Sequence, residues 1–426
     1  MCRPIPELCS SGSSSFSSLE ARRRTETLAA GGKDAGARET FPPVVQYLAP
    51  LLFLLWMVFP FGTGSSNGAE VESKPCRLEP RVEQWLLVAR ESGQGFEKRV
   101  AHYERVIDAC PEDPSLYNEL ATLVLQHYDF DRALQLIEQG LKKAPQDPDL
   151  SLNRAAALLL LGRPADALPS LVALPPSAKG KFYLGLTYRA LKDHRAAQET
   201  LHQAWNLGYD DPYLLYVSTE QDRILGDRRA LSEDFRKLTE RFPNSAWPHV
   251  AMADGLKAQH QDADAEAEYK KAVALDPNLP FVAYQLGYLA FKRGEYSAAS
   301  DYFRKEIRLN PSYPAPYVYL GVVLHRLGKN LEALPFLEQG VARAPSSPLA
   351  YRELALVQME TNRLEQALKT LRSAEKKFSE LPAFPAELSR LLTRMGRPQE
   401  AKAEAALAQQ LSQKRVRAEE ELSGIE

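Results

Sequence analysis

The chain is predicted to fold as an all-α solenoid of about ten stacked helix–turn–helix units of 34 residues, and three observations predict it. First, Pro111, Pro145, Pro243, Pro277, Pro311 and Pro345 are separated by 34, 98, 34, 34 and 34 residues. A step of 98 is three periods of 34 less four residues, so one register with a single short unit runs through most of the chain. A fixed period of this length marks an array of helical hairpins. Second, apolar residues inside each unit recur three or four apart, which places them on one face of a helix. Third, small residues occupy fixed positions where two helices must approach closely.

Taken from the N-terminus, residues 1–40 are rich in Ser, Gly and Arg, and are expected to be a disordered segment. Residues 41–64 hold an apolar run: no charged residue lies between Thr40 and Ala69, and Val44–Phe61 is apolar apart from Gln46. Eighteen such residues are just enough to span a bilayer as a helix. Three readings stay open: an uncleaved signal-anchor, a cleaved signal peptide with a long leader, or a buried or interfacial helix of a soluble protein. The first two place the remainder of the chain beyond a membrane, with residues 44–61 as the membrane contact, so the chain is expected to be membrane-anchored or exported. The third leaves it cytoplasmic. Residues 65–79 are small and polar and read as a linker.

Residues 80–415 hold the repeats. One unit, from Pro314, reads PAPYVYLGVVLHRLGKNLEALPFLEQGVARAPSS. With Pro314 as position 1, Tyr317, Leu320, Gly321 and Leu324 fall at positions 4, 7, 8 and 11 and form one face of a first helix. Ala333, Leu337 and Gly340 at positions 20, 24 and 27 do the same for a second helix. The template also fits from Pro80, Pro114, Pro148, Ala178, Pro212, Ala246, Pro280, Pro348 and Pro382. Position 20 is alanine in eight units and fails at Arg99 and Leu231, so units one and five are degenerate. The unit from Pro148 is short, losing four residues near Pro175 and Pro176. Proline suits the first helical turn, and Asp113, Asp147, Ser177, Asp211, Ser245 and Ser347 stand one place earlier, where a side-chain oxygen caps a helix. Residues 416–426 form a charged C-terminal tail, and the polar run after Leu411 suits a terminal capping helix with no further repeat to cover.

This pattern resembles the tetratricopeptide repeat family, whose motif has bulky residues near positions 4, 7, 11 and 24, small ones at 8, 20 and 27, and proline at 32. Leu286, Gly287, Ala299, Phe303 and Pro311 match it, as do Leu184, Gly185, Tyr188, Ala197, Leu201 and Ala204. The resemblance covers about four fifths of the chain and implies a right-handed superhelix with a concave inner surface that holds a peptide or partner protein. It also implies that positions 2, 5, 9, 12 and 13 line that surface. Those positions supply Phe182, Tyr213, Tyr216, Trp247, Phe281, Tyr284 and Tyr288, with a basic edge of Arg189, Arg223, Lys257, Lys292 and Arg326. Aromatic residues beside arginine are the common ingredients of binding hot spots. The competing reading is that some of these aromatics pack between repeats and the cations are solvated. The lysine and asparagine pattern with which some family members grip the acidic C-terminal tails of chaperones is absent.

Catalytic chemistry finds no support. The seven histidines form no H-E-x-x-H motif and no Cys/His cluster with zinc spacing, so no metal and no cofactor are expected. Outside the repeats there is no room for a catalytic domain, and no small-molecule substrate is expected. A net charge of −2 gives no basic excess for nucleic acid. Cys76 lies four residues before Pro80, and Cys110 directly precedes Pro111. The ends of a helical hairpin meet, so the two could form a disulfide in an oxidising compartment; two free thiols are the alternative. The expected function is a non-enzymatic protein-interaction scaffold. Alternatives are a soluble intracellular adaptor, or an accessory subunit that positions an envelope-assembly or glycan-transfer enzyme.

Overall fold

A computed structural model describes residues 80–423 apart from residue 92. Every described element is an α-helix, and the twenty helices form ten hairpins. The first five repeats are α1 (Pro80–Arg90) with α2 (Phe96–Ala109), α3 (Pro114–Gln126) with α4 (Phe130–Lys143), α5 (Pro148–Leu160) with α6 (Pro164–Ala173), α7 (Ala178–Ala190) with α8 (His194–Asn206), and α9 (Pro212–Leu225) with α10 (Arg228–Arg241). The second five are α11 (Trp247–Ala258) with α12 (Asp262–Leu275), α13 (Val282–Lys292) with α14 (Tyr296–Leu309), α15 (Pro314–Arg326) with α16 (Asn330–Arg343), α17 (Pro348–Glu360) with α18 (Leu364–Lys377), and α19 (Ala383–Arg394) with α20 (Pro398–Ser423). Each helix packs on the next in sequence, and first helices also touch the first helix of the following repeat, which is the contact pattern of a solenoid.

The boundaries follow from local chemistry. Asp113, Asp147, Ser177, Asp211 and Ser347 each accept a hydrogen bond from a backbone N–H of the first helical turn, and Ser245 accepts one from the Trp247 N–H at 3.3 Å. Asp129, Asp193 and Asp227 cap second helices in the same way. Position 15, in the turn inside the hairpin, is left-handed in repeats two to ten: glycine in five of them, but Tyr128, Lys192, His260 and Asn362 in the others. The short repeat loses its residues from the second helix, for α6 has 10 residues and ends before Pro175 and Pro176.

Position 8 is small because position 24 occupies its place. A Cβ on Gly185 would lie 2.8 Å from Leu201, and one on Gly287 would lie 2.8 Å from Phe303. Leucine or phenylalanine from the second helix therefore sits directly on the first helix backbone, and the core runs along the array as a chain of such contacts. A hydrogen bond among the described residues departs from this nearest-neighbour order. The hydroxyl of Tyr128, in the turn of repeat two, donates to the carbonyl of Leu309 at the end of α14 at 3.0 Å, 181 residues away.

Helix α20 runs to Ser423, so the C-terminal helix extends past residue 415, where the sequence pattern predicts the tail. Cys110 is buried at the C-terminus of α2 and is disulfide-bonded. Its expected partner Cys76 lies outside the described residues, as do the apolar segment 44–61 and the segments 1–40 and 65–79. Among the described residues no helix is long and apolar enough to cross a membrane.

Candidate partner-binding groove

The predicted concave residues divide by position. Positions 2 and 5 are mostly consumed by contacts between repeats: Phe182, Tyr213, Trp247 and Tyr284 are all buried. Phe182 stacks on Tyr209 with ring centroids 4.4 Å apart, and Tyr213 lies 4.9 Å from Trp247. These four are corrected from ligand-facing to packing residues, because successive first helices touch and enclose whatever stands at these positions. Tyr216, Phe281 and Tyr288 remain half-buried at the surface.

The basic edge is largely neutralised. Arg189 is buried, with its guanidinium 2.7 Å from the Glu220 carboxylate of the next repeat. Lys292 pairs with Asp262. Lys257 donates to Gln285 at 2.8 Å and lies 3.8 Å from Asp254. These three cations join repeats to one another, so the expectation of a free basic edge contracts to Arg223 and Arg326, both exposed and without an ion pair among the described residues.

Arg223 lies at the mouth of a cavity of about 260 Å³ between α9, α10 and α11, which opens on the concave positions of repeats five and six. Leu231, Phe235, Ala251 and Ala258 give it an apolar lining; Tyr216, Thr219, Glu220 and Asp254 add polar groups. Asp254 accepts from the Tyr216 hydroxyl at 2.9 Å and also from the Tyr269 hydroxyl, which fixes one wall. A Cβ on Gly255 would meet nothing within 4 Å, so this glycine leaves open space. The gap exists because α10 has the thinnest contact with the following first helix of any junction in the array. Position 20 of this repeat is Leu231, where an alanine would let the helices close.

Repeat five departs from the template in its interior as well. Ser218, Thr219 and Asp222 occupy positions 7, 8 and 11, and all three are buried. The Ser218 Oγ, the Gln221 Nε2 and the Asp222 Oδ2 are buried without hydrogen-bond partners. The sequence signal was present, since these positions carry leucine, glycine and leucine in repeat eight, but only position 20 marked the repeat as degenerate.

A second aromatic group surrounds Tyr319, a residue absent from the predicted set. Its ring lies 5.9 Å from Tyr284, 5.5 Å from Tyr288 and 5.7 Å from Phe291. Nearby, Glu306 occupies position 27, where the template has a small residue, and is fully buried. It accepts from the N–H groups of Phe281 at 2.9 Å and Tyr284 at 3.2 Å and from the Asn310 amide at 2.6 Å, so it caps α13 from the neighbouring helix. Burial pushes its carboxyl up to about 6, against these hydrogen bonds, which favour the anion. Phe281 itself is held in the left-handed region, with φ of 70°.

Comparisons with known proteins agree with this architecture. One model of the tetratricopeptide repeat matches residues 124–181 and 324–380, and a second matches 250–314 and 284–348. No curated protein sequence matches significantly. Among solved structures, YrrB, described as a tetratricopeptide-repeat protein with an unusual peptide-binding site, is 21% identical with a TM-score of 0.39, over 42% of this chain and 91% of its own. MamA from Desulfovibrio magneticus is 23% identical with a TM-score of 0.38, over 40% of this chain and 96% of its own. Cut9–Hcn1, a hetero-tetramer of the APC/C, is 16% identical with a TM-score of 0.35, over 79% and 88%. The register, the twenty paired helices and the model matches over residues 124–181 and 250–380 show that this chain carries tetratricopeptide repeats.

Proposed function

We propose that this protein is a non-enzymatic scaffold that holds an extended peptide segment of a partner protein in its concave groove. The cavity between repeats five and six is the anchor point. The observation that carries this reading is the coincidence of an apolar lining, an ordered polar wall and an exposed Arg223 without an ion pair among the described residues, at concave positions. Such a site takes an apolar side chain of the partner and sets a carboxylate against Arg223, in the manner of a buried anchor ringed by polar contacts. Tyr288 and Phe281 extend the surface toward repeat seven, and Arg326 adds a cation at repeat eight.

The disulfide at Cys110 and the apolar run at residues 44–61 support placement of the repeats in an oxidising, extracytoplasmic compartment, anchored or exported. The test is cross-linked affinity capture from native membranes with Gly255→Leu, whose Cβ would meet nothing within 4 Å and which favours the helix, and with Arg223→Glu. Both variants are expected to keep wild-type circular dichroism and to lose the same captured partner. Retention of every partner by both would place binding elsewhere on the molecule.

A further inference from the structure

We propose that repeats four and five share a binding site for one divalent transition-metal ion of the Zn²⁺ class, formed by His202, Asp222 and Asp234. Three helices supply the ligands, α8, α9 and α10. One donor atom from each residue lies within 4.8 Å of the others, so a single ion between them reaches all three with small side-chain adjustments. Asp222 and Asp234 are buried, while His202 is about a third exposed and leaves an entry path from solvent. The sequence pattern predicts no metal because the three ligands come from separate helices and match no metal motif.

Two further observations, both at Asp222, point to a ligand. Asp222 is fully buried, yet its Oδ2 has no hydrogen-bond partner, a costly state for a carboxylate in a helical core. It also stands at position 11, where the repeat calls for a bulky apolar residue such as Leu324 in repeat eight, so ordinary packing gives no reason for it.

The outer contacts have the form of a supporting shell. The Gln198 amide donates to Asp222 Oδ1 at 2.7 Å, and Lys237 donates to Asp234 Oδ1 at 3.0 Å. Each carboxylate therefore has one oxygen held by a neighbour, which leaves its other oxygen available to an ion, as metal-binding carboxylates commonly do. Asp234 Oδ2 accepts from His202 Nε2 at 2.9 Å, and an ion takes the place of that proton. One imidazole and two carboxylates suit Zn²⁺, Co²⁺ or Mn²⁺ better than Ca²⁺ or Mg²⁺, which prefer all-oxygen sites. Bound there, the ion ties α9 and α10 to repeat four.

The experiment uses the full chain, untagged and stripped of metal. Zn²⁺ is titrated by calorimetry and thermal unfolding, and Co²⁺ by visible absorption. Wild type is compared with Asp222→Asn, His202→Gln and Asp222→Leu, the last restoring the residue type the repeat expects. Wild type is expected to bind one ion more than any variant and to unfold about 5 °C higher at a hundredfold excess over Kd. Asp222→Leu is expected to stay folded and to lose the metal-dependent rise. Equal stoichiometry and equal thermal response in wild type and the folded variants would overturn the site, as would absence of Zn²⁺ and Co²⁺ binding to wild type.

Discussion

Repeat eight and repeat five share one register and nearly one backbone, yet their interiors are opposite in chemistry. In repeat eight, Leu320, Gly321, Leu324, Ala333, Leu337 and Gly340 fill the template and are buried. In repeat five the first-helix positions are Ser218, Thr219 and Asp222, also buried, and the position-20 residue is the larger Leu231. Helix α9 nevertheless forms, because Asp211 caps it, Gly226 ends it in the left-handed region, and Tyr213, Leu214, Leu215 and Val217 bury its other faces. A solenoid distributes stability over neighbouring interfaces. A repeat flanked by well-packed units can therefore surrender its own interior to polar groups, and this one does so beside the cavity between repeats five and six.

The largest effect should come from damaging the well-packed repeat. Leu320→Ala should cost roughly 2–5 kcal/mol, and Gly321→Leu, which drives a side chain into Leu337, should cost at least as much. Hydrogen exchange should show protection lost in repeats seven to nine and kept in repeats two to four; uniform loss over the array would contradict nearest-neighbour stability. Repairing the polar repeat should act the other way. Ser218→Ala removes a buried hydroxyl without a partner and should stabilise by about 1 kcal/mol in urea unfolding; destabilisation would mean that Ser218 has a role the fold does not require. In the wild type, α9 and α10 should exchange faster than α15 and α16.

Smaller changes sharpen the contrast at the turns. Repeats five and eight use Gly226 and Gly328 at the left-handed position, but repeat four uses Lys192 with φ of 65°. Lys192→Gly should stabilise by about 1 kcal/mol or less, since glycine adopts that conformation without strain. The smallest effect concerns acidity. His325 of repeat eight is held by Glu353 at 3.0 Å and Glu360 at 3.2 Å, and these hydrogen bonds raise its pKa against the opposing effect of burial. The folded state binds that proton more tightly than the unfolded chain, so its stabilising contribution is complete below the ordinary histidine pKa. The contribution fades as pH rises through the raised value. Exchange protection of α15 and α17 should therefore fall on going from mildly acidic to mildly alkaline solution, and His325→Leu should abolish the trend.

The fold was legible because its determinants are local and repeated. Proline at the first turn, Asp or Ser before it, and apolar residues three and four apart all refer to residues within one hairpin. The groove was less legible because its exposure depends on how tightly successive repeats coil. Phe182, Tyr213, Trp247 and Tyr284 hold concave positions in the register, yet contact between adjacent first helices encloses them. Arg189 and Lys292 likewise looked like free cations until their partners Glu220 and Asp262, about 30 residues away, came into reach. Two departures from the register are visible in the sequence itself: Asp222 at a bulky position and Glu306 at a small one. Residues that break a repeating rule carry more information about a site than residues that extend a pattern of aromatics.

The hydrogen bond from Tyr128 to the Leu309 carbonyl gives this largely one-dimensional array a long-range fastening among the described residues. A zipper of repeats can nucleate anywhere and lengthen one hairpin at a time, whereas this link forms only after every repeat from two to seven has taken its place. The entropy of joining such distant points is already spent by the folded repeats between them, so a weak bond suffices to close the coil. It then works as a stop on the coil's extension. Pulling the two ends apart should meet a stiffer response until that fastening parts, after which the spring lengthens as an ordinary solenoid.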